Sequence, residues 1–221
     1  MTRTTTYVTF LLTALFANDA VAQSNGDRAG NWDFGVLVLD QTSESLTGEQ
    51  GATLDIGGEV GWGLTAGYNI NDRLAVMFDY TWTRPDYQAT RIIEGSMLQD
   101  TIRAELDIYT YQLKGVYHFI DGPFTPFAEI AAGWTTLDSN IIDGPPNSIC
   151  WYDPWWGYTC DTIFSTYSKS RFSYGAAVGL RFDMSNGMGI KGSYGVQEID
   201  TSNATERASF EAYKVELLWR F

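Results

Sequence analysis

Apolar and polar residues alternate with a period of two along most of this chain, and the stretch from Ser209 to Phe221 shows it most clearly. Its apolar positions are Tyr213, Val215, Leu217, Trp219 and Phe221. The intervening positions include Lys214, Glu216 and Arg220. Successive side chains of a strand point to opposite faces, so this pattern predicts a β-strand with one apolar and one largely charged face.

Seven further segments alternate in the same way and are predicted as strands. They are 30–41, 59–68, 73–82, 109–119, 126–137, 172–182 and 190–197. The connections between the eight strands alternate between long and short. The long ones are 42–55, 84–104, 138–170 and 200–208. We expect them to be loops, except that 84–104 is either a loop or strand extensions beyond the membrane. This asymmetry predicts an all-β fold, an eight-stranded antiparallel up-and-down transmembrane β-barrel with short periplasmic turns and long extracellular loops.

Two segments carry a resemblance to a known family. The hairpin Gly61–Ala75 and the ending Trp219-Arg220-Phe221 resemble small OmpA/OmpX-type outer-membrane β-barrels. The resemblance implies a bacterial outer-membrane location and contact with outer-membrane lipid. It also implies that the barrel-assembly machinery reads the last strand through Trp219 and Phe221. We expect the barrel to be a monomer.

The first 22 residues have the pattern of a secretory signal peptide. A positive start at Arg3 is followed by a short apolar run, Tyr7–Ala17, and by Ala20-Val21-Ala22, a small-x-small cleavage site. The apolar run is too short to cross a bilayer as a helix. We therefore expect residues 1–22 to be removed and residues 23–221 to form the barrel domain.

Charge and composition narrow the possible functions. The formal net charge is −13, and such an acidic chain repels the phosphates of nucleic acids, so we expect no nucleic-acid partner. Aromatic residues make up 15% of the chain although its mean hydropathy is only −0.17. That combination suits a barrel, in which only alternate residues meet lipid.

Charged residues recur on the inward faces of the predicted strands. They are Glu59, Asp79, Lys114, Glu129, Arg181, Lys191, Lys214, Glu216 and Arg220. Eight strands leave an interior just wide enough for side chains to fill, and buried charges are tolerated only when they are paired. We expect an ion-pair network that plugs the lumen. The alternative is a polar pathway, which would make the barrel a narrow porin-like conduit for small solutes.

The outward aromatic residues are expected to form two membrane belts. The predicted periplasmic belt consists of Trp32, Tyr68, Tyr117, Phe182, Trp219 and Phe221. The predicted outer belt consists of Tyr80, Trp82, Tyr109, Trp134, Phe172, Tyr174 and Tyr213.

The longest connection holds both cysteines of the chain. Cys150 and Cys160 follow a signal peptide, so a local disulfide is expected in an oxidising compartment. Between them lie Trp151, Tyr152, Trp155, Trp156 and Tyr158. Exposed aromatic patches often mark a contact surface, so this loop is a candidate for recognition of an unknown extracellular ligand. The alternative is that the aromatic residues collapse into a lid over the barrel.

The sequence offers little support for catalysis. Outer-membrane lipid hydrolases usually need a serine and a histidine near the outer leaflet. His118, the single histidine, lies beside a predicted periplasmic turn, where we expect an interface residue. No phosphate-cradling or zinc motif occurs, and we expect no metal or other cofactor. The sequence therefore favours a non-enzymatic structural and surface-interaction barrel, over the alternatives of a narrow conduit or a lipid-modifying enzyme.

Overall fold

The computed structural model describes residues 28–47, 53–92, 99–143, 147–153, 155, 157–163, 166–200 and 207–221. The predicted signal peptide lies outside these residues. In chain order the strands are β1 (Trp32–Gln41), β2 (Glu44–Thr47), β3 (Thr53–Ile56), β4 (Glu59–Asn69), β5 (Leu74–Thr83), β6 (Asp86–Ile92), β7 (Gln99–Glu105), β8 (Asp107–His118), β9 (Phe124–Ile142), β10 (Asn147–Asp153), β11 (Gly157–Ile163), β12 (Thr166–Asp183), β13 (Met188–Ile199) and β14 (Ala208–Arg220). None of the described segments is a helix long and apolar enough to cross a membrane.

Eight of these strands form a closed antiparallel barrel in the order β1-β14-β13-β12-β9-β8-β5-β4. These are the eight strands that the alternation predicts, so the predicted fold is confirmed. β14 pairs with β13 on one side, where Lys191 faces Glu216 across the ladder. On the other side it pairs with β1, where Phe34 lies opposite Trp219. β14 therefore forms the closing seam of the barrel.

Alternation along each strand sorts side chains between the outside and the lumen. In β1, Phe34 and Val38 are exposed, whereas Leu37 and Leu39 are buried. In β9, Ile130 is 71% exposed and the adjacent Glu129 only 4%. Apolar side chains therefore cover the outer wall, and the charged side chains turn inward.

The two ends of the barrel differ in their connections. At one end, residues 70–73, 119–123 and 184–187 make short turns, and the chain enters β1 and leaves β14 at this same end. Gly122 and Gly187 have positive φ values of 123° and 79°, which favour glycine in such turns. We call this the turn end and the opposite one the loop end.

The loop end contains more regular structure than the sequence predicts. The segment 42–55 was expected to be a loop, and 84–104 either a loop or strand extensions. Their described residues form a four-stranded sheet in the order β2-β3-β6-β7. Its four strands continue the wall made by β1, β4, β5 and β8. They are short and mostly polar, with four to seven residues each, so alternation alone identifies them poorly.

An apolar core lies beneath this sheet. Its buried members are Leu46, Ile56, Tyr87, Leu106, Ile108, Ile199, Ala208 and Phe210. Leu46, Ile56 and Tyr87 come from the sheet. Ile199, Ala208 and Phe210 come from the loop-end parts of β13 and β14, on the opposite side of the barrel. The Tyr87 hydroxyl donates to the Ser139 carbonyl oxygen at 3.4 Å, and burial raises the pKa of this tyrosine. The sheet and the opposite strands thus share one hydrophobic core at the loop end.

The remaining two strands, β10 and β11, form a separate hairpin within the connection predicted as 138–170. The barrel strands also extend into that segment, because β9 continues to Ile142 and β12 begins at Thr166. In the hairpin, the backbone of Cys150 lies directly opposite that of Cys160.

Candidate functional site: the lumen and the loop end

Three lysines and three carboxylates meet at the centre of the lumen. Lys114 Nζ lies 2.7 Å from Asp79 Oδ2, 3.3 Å from Glu216 Oε1 and 3.4 Å from Glu129 Oε2. Lys191 Nζ lies 3.2 Å from Glu216 and 3.5 Å from Glu129. Lys214 completes this lysine cluster at 4.0 Å from Asp79. The opposite charges balance, as burial requires.

A second ion-pair group, the arginine cluster, lies nearer the turn end. Arg181 Nη2 lies 2.8 Å from Asp33, and its Nε lies 2.9 Å from Asp183. Arg220 reaches the same two carboxylates at 3.3 and 2.7 Å. Arg28 Nε lies 2.8 Å from Asp183. Asp33 and Asp183 therefore each form ion pairs with at least two arginines. These pairs link β1, β12 and β14 across the lumen.

Arg28 also ties this end of the barrel to its turns. Its Nη2 donates to the Gly122 carbonyl at 2.7 Å and to Thr125 Oγ1 at 2.5 Å. Its Nη1 donates to the Asp72 carbonyl at 3.0 Å. One side chain thus contacts all three strand pairs that end in short turns, since Asp183 precedes the third turn. Sequence reasoning missed Arg28 because it precedes β1 and belongs to no alternating segment.

An apolar layer packs beside these two clusters. It consists of Ala75, Met77, Val116, Phe127 and Leu218. Lys191 Nζ lies 4.8 Å from the centre of the Phe127 ring, so the layer touches the lysine cluster directly. His118 packs against the same ring, with centroids 6.1 Å apart, and is completely buried. The prediction that His118 is an interface residue is therefore wrong, because its position in β8 turns it into the lumen.

A small cavity of about 30 Å³ lies on the β12–β14 side of the lumen. Gln112, Gln197 and Lys214 line it together with small residues such as Ala177 and Gly195. Such a volume holds roughly one or two water molecules. Glu129 lines it as well as Lys214, so the cavity borders one side of the lysine cluster.

The nine charged residues that the sequence predicts for the lumen fall into three groups in the structure: the lysine cluster, the arginine cluster and one exposed residue. Six of them form the lysine cluster, and Arg181 and Arg220 belong to the arginine cluster. Glu59 is exposed at the start of β4, so its assignment to a buried network is wrong. Alternation places the Glu59 side chain on the inward face of β4. However, Glu59 lies nearer the loop end than the part of the barrel that encloses inward side chains. The predicted lumen network omitted Asp33 and Asp183, although alternation places Asp33 on the inward face of β1.

Aromatic side chains surround the barrel at two levels. At the turn end, the rings of Trp32 and Tyr68 lie 5.2 Å apart. Toward the loop end, the Trp134 and Phe172 rings lie 6.0 Å apart in an edge-to-face arrangement. These belts match the levels at which interfacial aromatic residues are expected.

The β10–β11 hairpin presents aromatic residues to solvent at its tip. Trp155 is 86% exposed and Tyr152 is 73% exposed. The side chains of Trp151, Tyr158, Cys150 and Cys160, and the whole of Trp156, lie outside the described part of the structure. The disulfide therefore stays a prediction, although facing residues of an antiparallel pair are spaced as a disulfide requires. No metal site is evident in the described part of the chain, which contains no group of three or more His, Cys, Asp or Glu that could hold a metal ion.

Comparisons with known proteins agree with this architecture. A family model described as the outer membrane protein beta-barrel domain matches residues 8–221. A search of curated proteins finds no significant match. The fold is similar to that of the solved Neisserial surface protein A, with a TM-score of 0.55 and 14% identity, covering 87% of this chain and 99% of that one.

Two other solved structures are similar to this chain. One is the outer membrane protein OprG from Pseudomonas aeruginosa, with a TM-score of 0.53, 12% identity and coverage of 89% of this chain and 98% of that one. The other is the outer membrane protein AlkL, with a TM-score of 0.53, 16% identity and coverage of 92% and 96%. At these identities the likeness concerns the fold alone, whereas the family model spans nearly the whole chain. The protein is therefore a bacterial outer-membrane protein, and the chain belongs to the outer membrane protein beta-barrel domain family.

Proposed function

We propose that this barrel is a non-enzymatic protein that acts at the cell surface through its loop end, and that its lumen is plugged. The observation that carries the proposal is the filling of the lumen. Arg28, Lys114, Phe127, Arg181 and Lys191 are among its largest fully buried side chains. Above them, the apolar core beneath the four-stranded sheet occupies the loop end. A barrel filled in this way offers its surface, rather than a passage, for function.

Conductance measurements test the plugged lumen. The refolded protein, inserted into planar bilayers, is expected to give no steady channel steps. Steady steps in the unaltered protein would favour the alternative of a narrow conduit for small solutes. A variant that lacks the Arg28 side chain provides the comparison, because the arginine cluster closes the turn end.

The hairpin tip is the proposed contact region. Trp155 and Tyr152 expose most of their surface, and aromatic residues of this kind recur at the centres of binding interfaces. The partner is an extracellular ligand that these residues alone do not identify. The proposal requires that the tip side chains remain available to it rather than packing as a lid.

Cells that display the protein provide the test of this contact. Their adhesion to immobilised polysaccharides and proteins is compared with that of cells displaying Tyr152→Ser/Trp155→Ser. We expect the double variant to lose adhesion while it keeps the shift between unheated and boiled samples on a gel. Equal adhesion of both strains, or a loss of the heat-modifiable band, would favour the lid instead.

His118 supports a non-enzymatic role. It is buried beside the turn at 119–123, whereas the substrate of an outer-leaflet lipid hydrolase lies at the opposite membrane face. Mass spectra of outer-membrane lipids with and without the protein test this part of the proposal. A lipid species that depends on the protein would overturn it.

A further inference from the structure

One of the three short turns at the turn end carries an Asn-Gly pair. Asn186 and Gly187 join β12 to β13, and the Asn186 side chain is exposed. Gly187 has a φ of 79°, a left-handed conformation that any side chain at this position would strain. The fold of the turn therefore keeps a residue without a Cβ atom directly after an exposed asparagine.

An asparagine followed by glycine can react with its own main chain. The backbone nitrogen of Gly187 can attack the side-chain amide carbon (Cγ) of Asn186, because the product is an unstrained five-membered ring. Glycine leaves this nitrogen more accessible than other residues do, since no side chain stands beside it. Asparagine is accordingly among the thermolabile residues of proteins.

The hydrogen bonds of the turn favour this reaction. The Met188 N–H donates to Asn186 Oδ1 at 3.2 Å, so the side-chain amide is folded forward along the chain, over the Gly187 nitrogen. The same hydrogen bond stabilises the negative charge that develops on the amide oxygen during the attack. In the described part of the structure, the Gly187 N–H has no hydrogen-bond acceptor, so no such bond holds the attacking nitrogen elsewhere.

We propose that Asn186 is a site of spontaneous deamidation in the folded barrel, with water as the second reactant. The Gly187 nitrogen loses its proton and bonds to Cγ of Asn186, and the side-chain nitrogen leaves as ammonia. Water then opens the resulting succinimide ring. Breaking the new bond from nitrogen to Cγ gives aspartate, and breaking the original peptide bond gives isoaspartate. No atom is oxidised or reduced, so water is the sole co-reactant.

The turn contacts the closing seam, which gives the modification a structural consequence. The Arg220 N–H of β14 donates to the Gly187 carbonyl at 2.7 Å, and the Met184 N–H donates to the Met188 carbonyl at 2.8 Å. Isoaspartate adds one carbon atom to the main chain inside this short loop and so disturbs both hydrogen bonds. Accumulated isoaspartate therefore loosens the pairing of β13 with β14 at the turn end.

Peptide mapping of the refolded protein tests the proposal. Trypsin cleaves after Arg181 and Lys191, and the peptide between these sites, residues 182–191, contains Asn186 as its sole asparagine or glutamine. The mass increase from amide to acid in this peptide therefore reports Asn186 alone. Asn25-Gly26, the other Asn-Gly pair, lies outside the described residues and in a different tryptic peptide.

A synthetic peptide with the sequence of residues 182–191 is incubated beside the protein at mildly alkaline pH. We expect the folded protein to convert at a rate within about tenfold of that of the peptide, a difference of at most roughly 1.4 kcal/mol in activation free energy. A protein that stays unmodified while the peptide converts would overturn the proposal, since the turn would then protect Asn186.

Gly187→Ala tests the attacking nitrogen. The added Cβ atom hinders the attack, so conversion should slow in the protein and in a synthetic peptide with the same substitution. The peptide keeps the comparison valid if the variant barrel folds poorly because of the positive φ. An unchanged rate would overturn attack by the nitrogen of residue 187.

Aged protein tests the link to the closing seam. After incubation that accumulates isoaspartate, the unaltered protein should lose its heat-modifiable band at a lower urea concentration than before. Asn186→Gln is the control, because the corresponding ring would have six members and forms more slowly. Equal losses after ageing in the two proteins would overturn this link. The proposal concerns the turn end, so its failure leaves the proposed contact at the hairpin tip unaffected.

Discussion

Arg28 belongs to no strand, yet its guanidinium Nε lies 2.8 Å from Asp183 Oδ2 inside the turn end of the barrel. Replacing Arg28 by Met should lower the free energy of unfolding by about 1–3 kcal/mol, because several charge-assisted hydrogen bonds are lost. Arg181 and Arg220 still neutralise Asp183, which limits the loss. Equilibrium unfolding in urea from lipid vesicles measures the effect.

Arg73→Met is the control for this change. Arg73 also bonds to an aspartate at the turn end, 3.1 Å from Asp121, and this contact lowers the pKa of the Asp121 carboxyl. Both partners are exposed, so little change in stability is expected. Equal losses in the two variants would show that Arg28 acts as an ordinary surface residue.

Lys114 is the most heavily paired cation of the lysine cluster. Lys114→Met leaves Asp79, Glu129 and Glu216 with one positive charge too few, and should cost about 3–5 kcal/mol of unfolding free energy. Adding Asp79→Asn should restore part of this loss, because the least compensated carboxylate is then removed. If the two substitutions add independently in urea unfolding, the residues are not coupled.

Gly133 is required by a close approach between strands. A Cβ atom at this position would overlap the backbone oxygen of Tyr111, which cannot move aside as a flexible side chain can. Gly133→Ala should destabilise the barrel by about 1–3 kcal/mol. Gly192→Ala is the control, since nothing lies within 4 Å of the added atom. The refolded fraction on a gel of unheated samples compares the two.

The facing backbones of Cys150 and Cys160 lead to a chemical prediction. Protein purified without reductant should be two hydrogen atoms lighter than the reduced protein by intact mass. Proteolysis at the hairpin should accelerate after reduction, while the barrel remains heat-modifiable. Free thiols that react at once with a maleimide reagent in unreduced protein would exclude the disulfide.

Phe221 continues the closing seam beyond β14, where its backbone exchanges hydrogen bonds of 2.8 and 2.9 Å with Trp32. We expect Phe221→Ala to reduce the amount of barrel assembled in cells, because the assembly machinery is proposed to read this aromatic residue. The stability of barrels already folded should change much less. Comparing the yield in membranes with urea unfolding of the purified variant separates these effects, and a proportional loss in both would contradict an assembly role.

The parts of this structure that follow from periodicity were predictable, and those that follow from three-dimensional proximity were not. Alternation correctly assigned Glu129 to the lumen and Ile130 to the outer wall, because a closed barrel makes each position either inward or outward. It could not show that Glu59 rises above the enclosed part of the lumen. The role of Arg28 could not be predicted from the sequence, because the partners of its side chain are 44 to 155 positions away. Strand extensions were one alternative for 84–104, but the four-stranded sheet itself was not predicted, because its strands are short and mostly polar.

The pairing of β1 with β14 has a consequence for biosynthesis. The two strands that seal the wall come from opposite ends of the described chain, so their ladder has the longest sequence separation of the strand pairs among the described residues. Until β14 has been synthesised and exported, β1 and β13 each present an unpaired edge, and such an edge is costly in hydrocarbon. Closure of the barrel wall must therefore wait for the synthesis and export of β14.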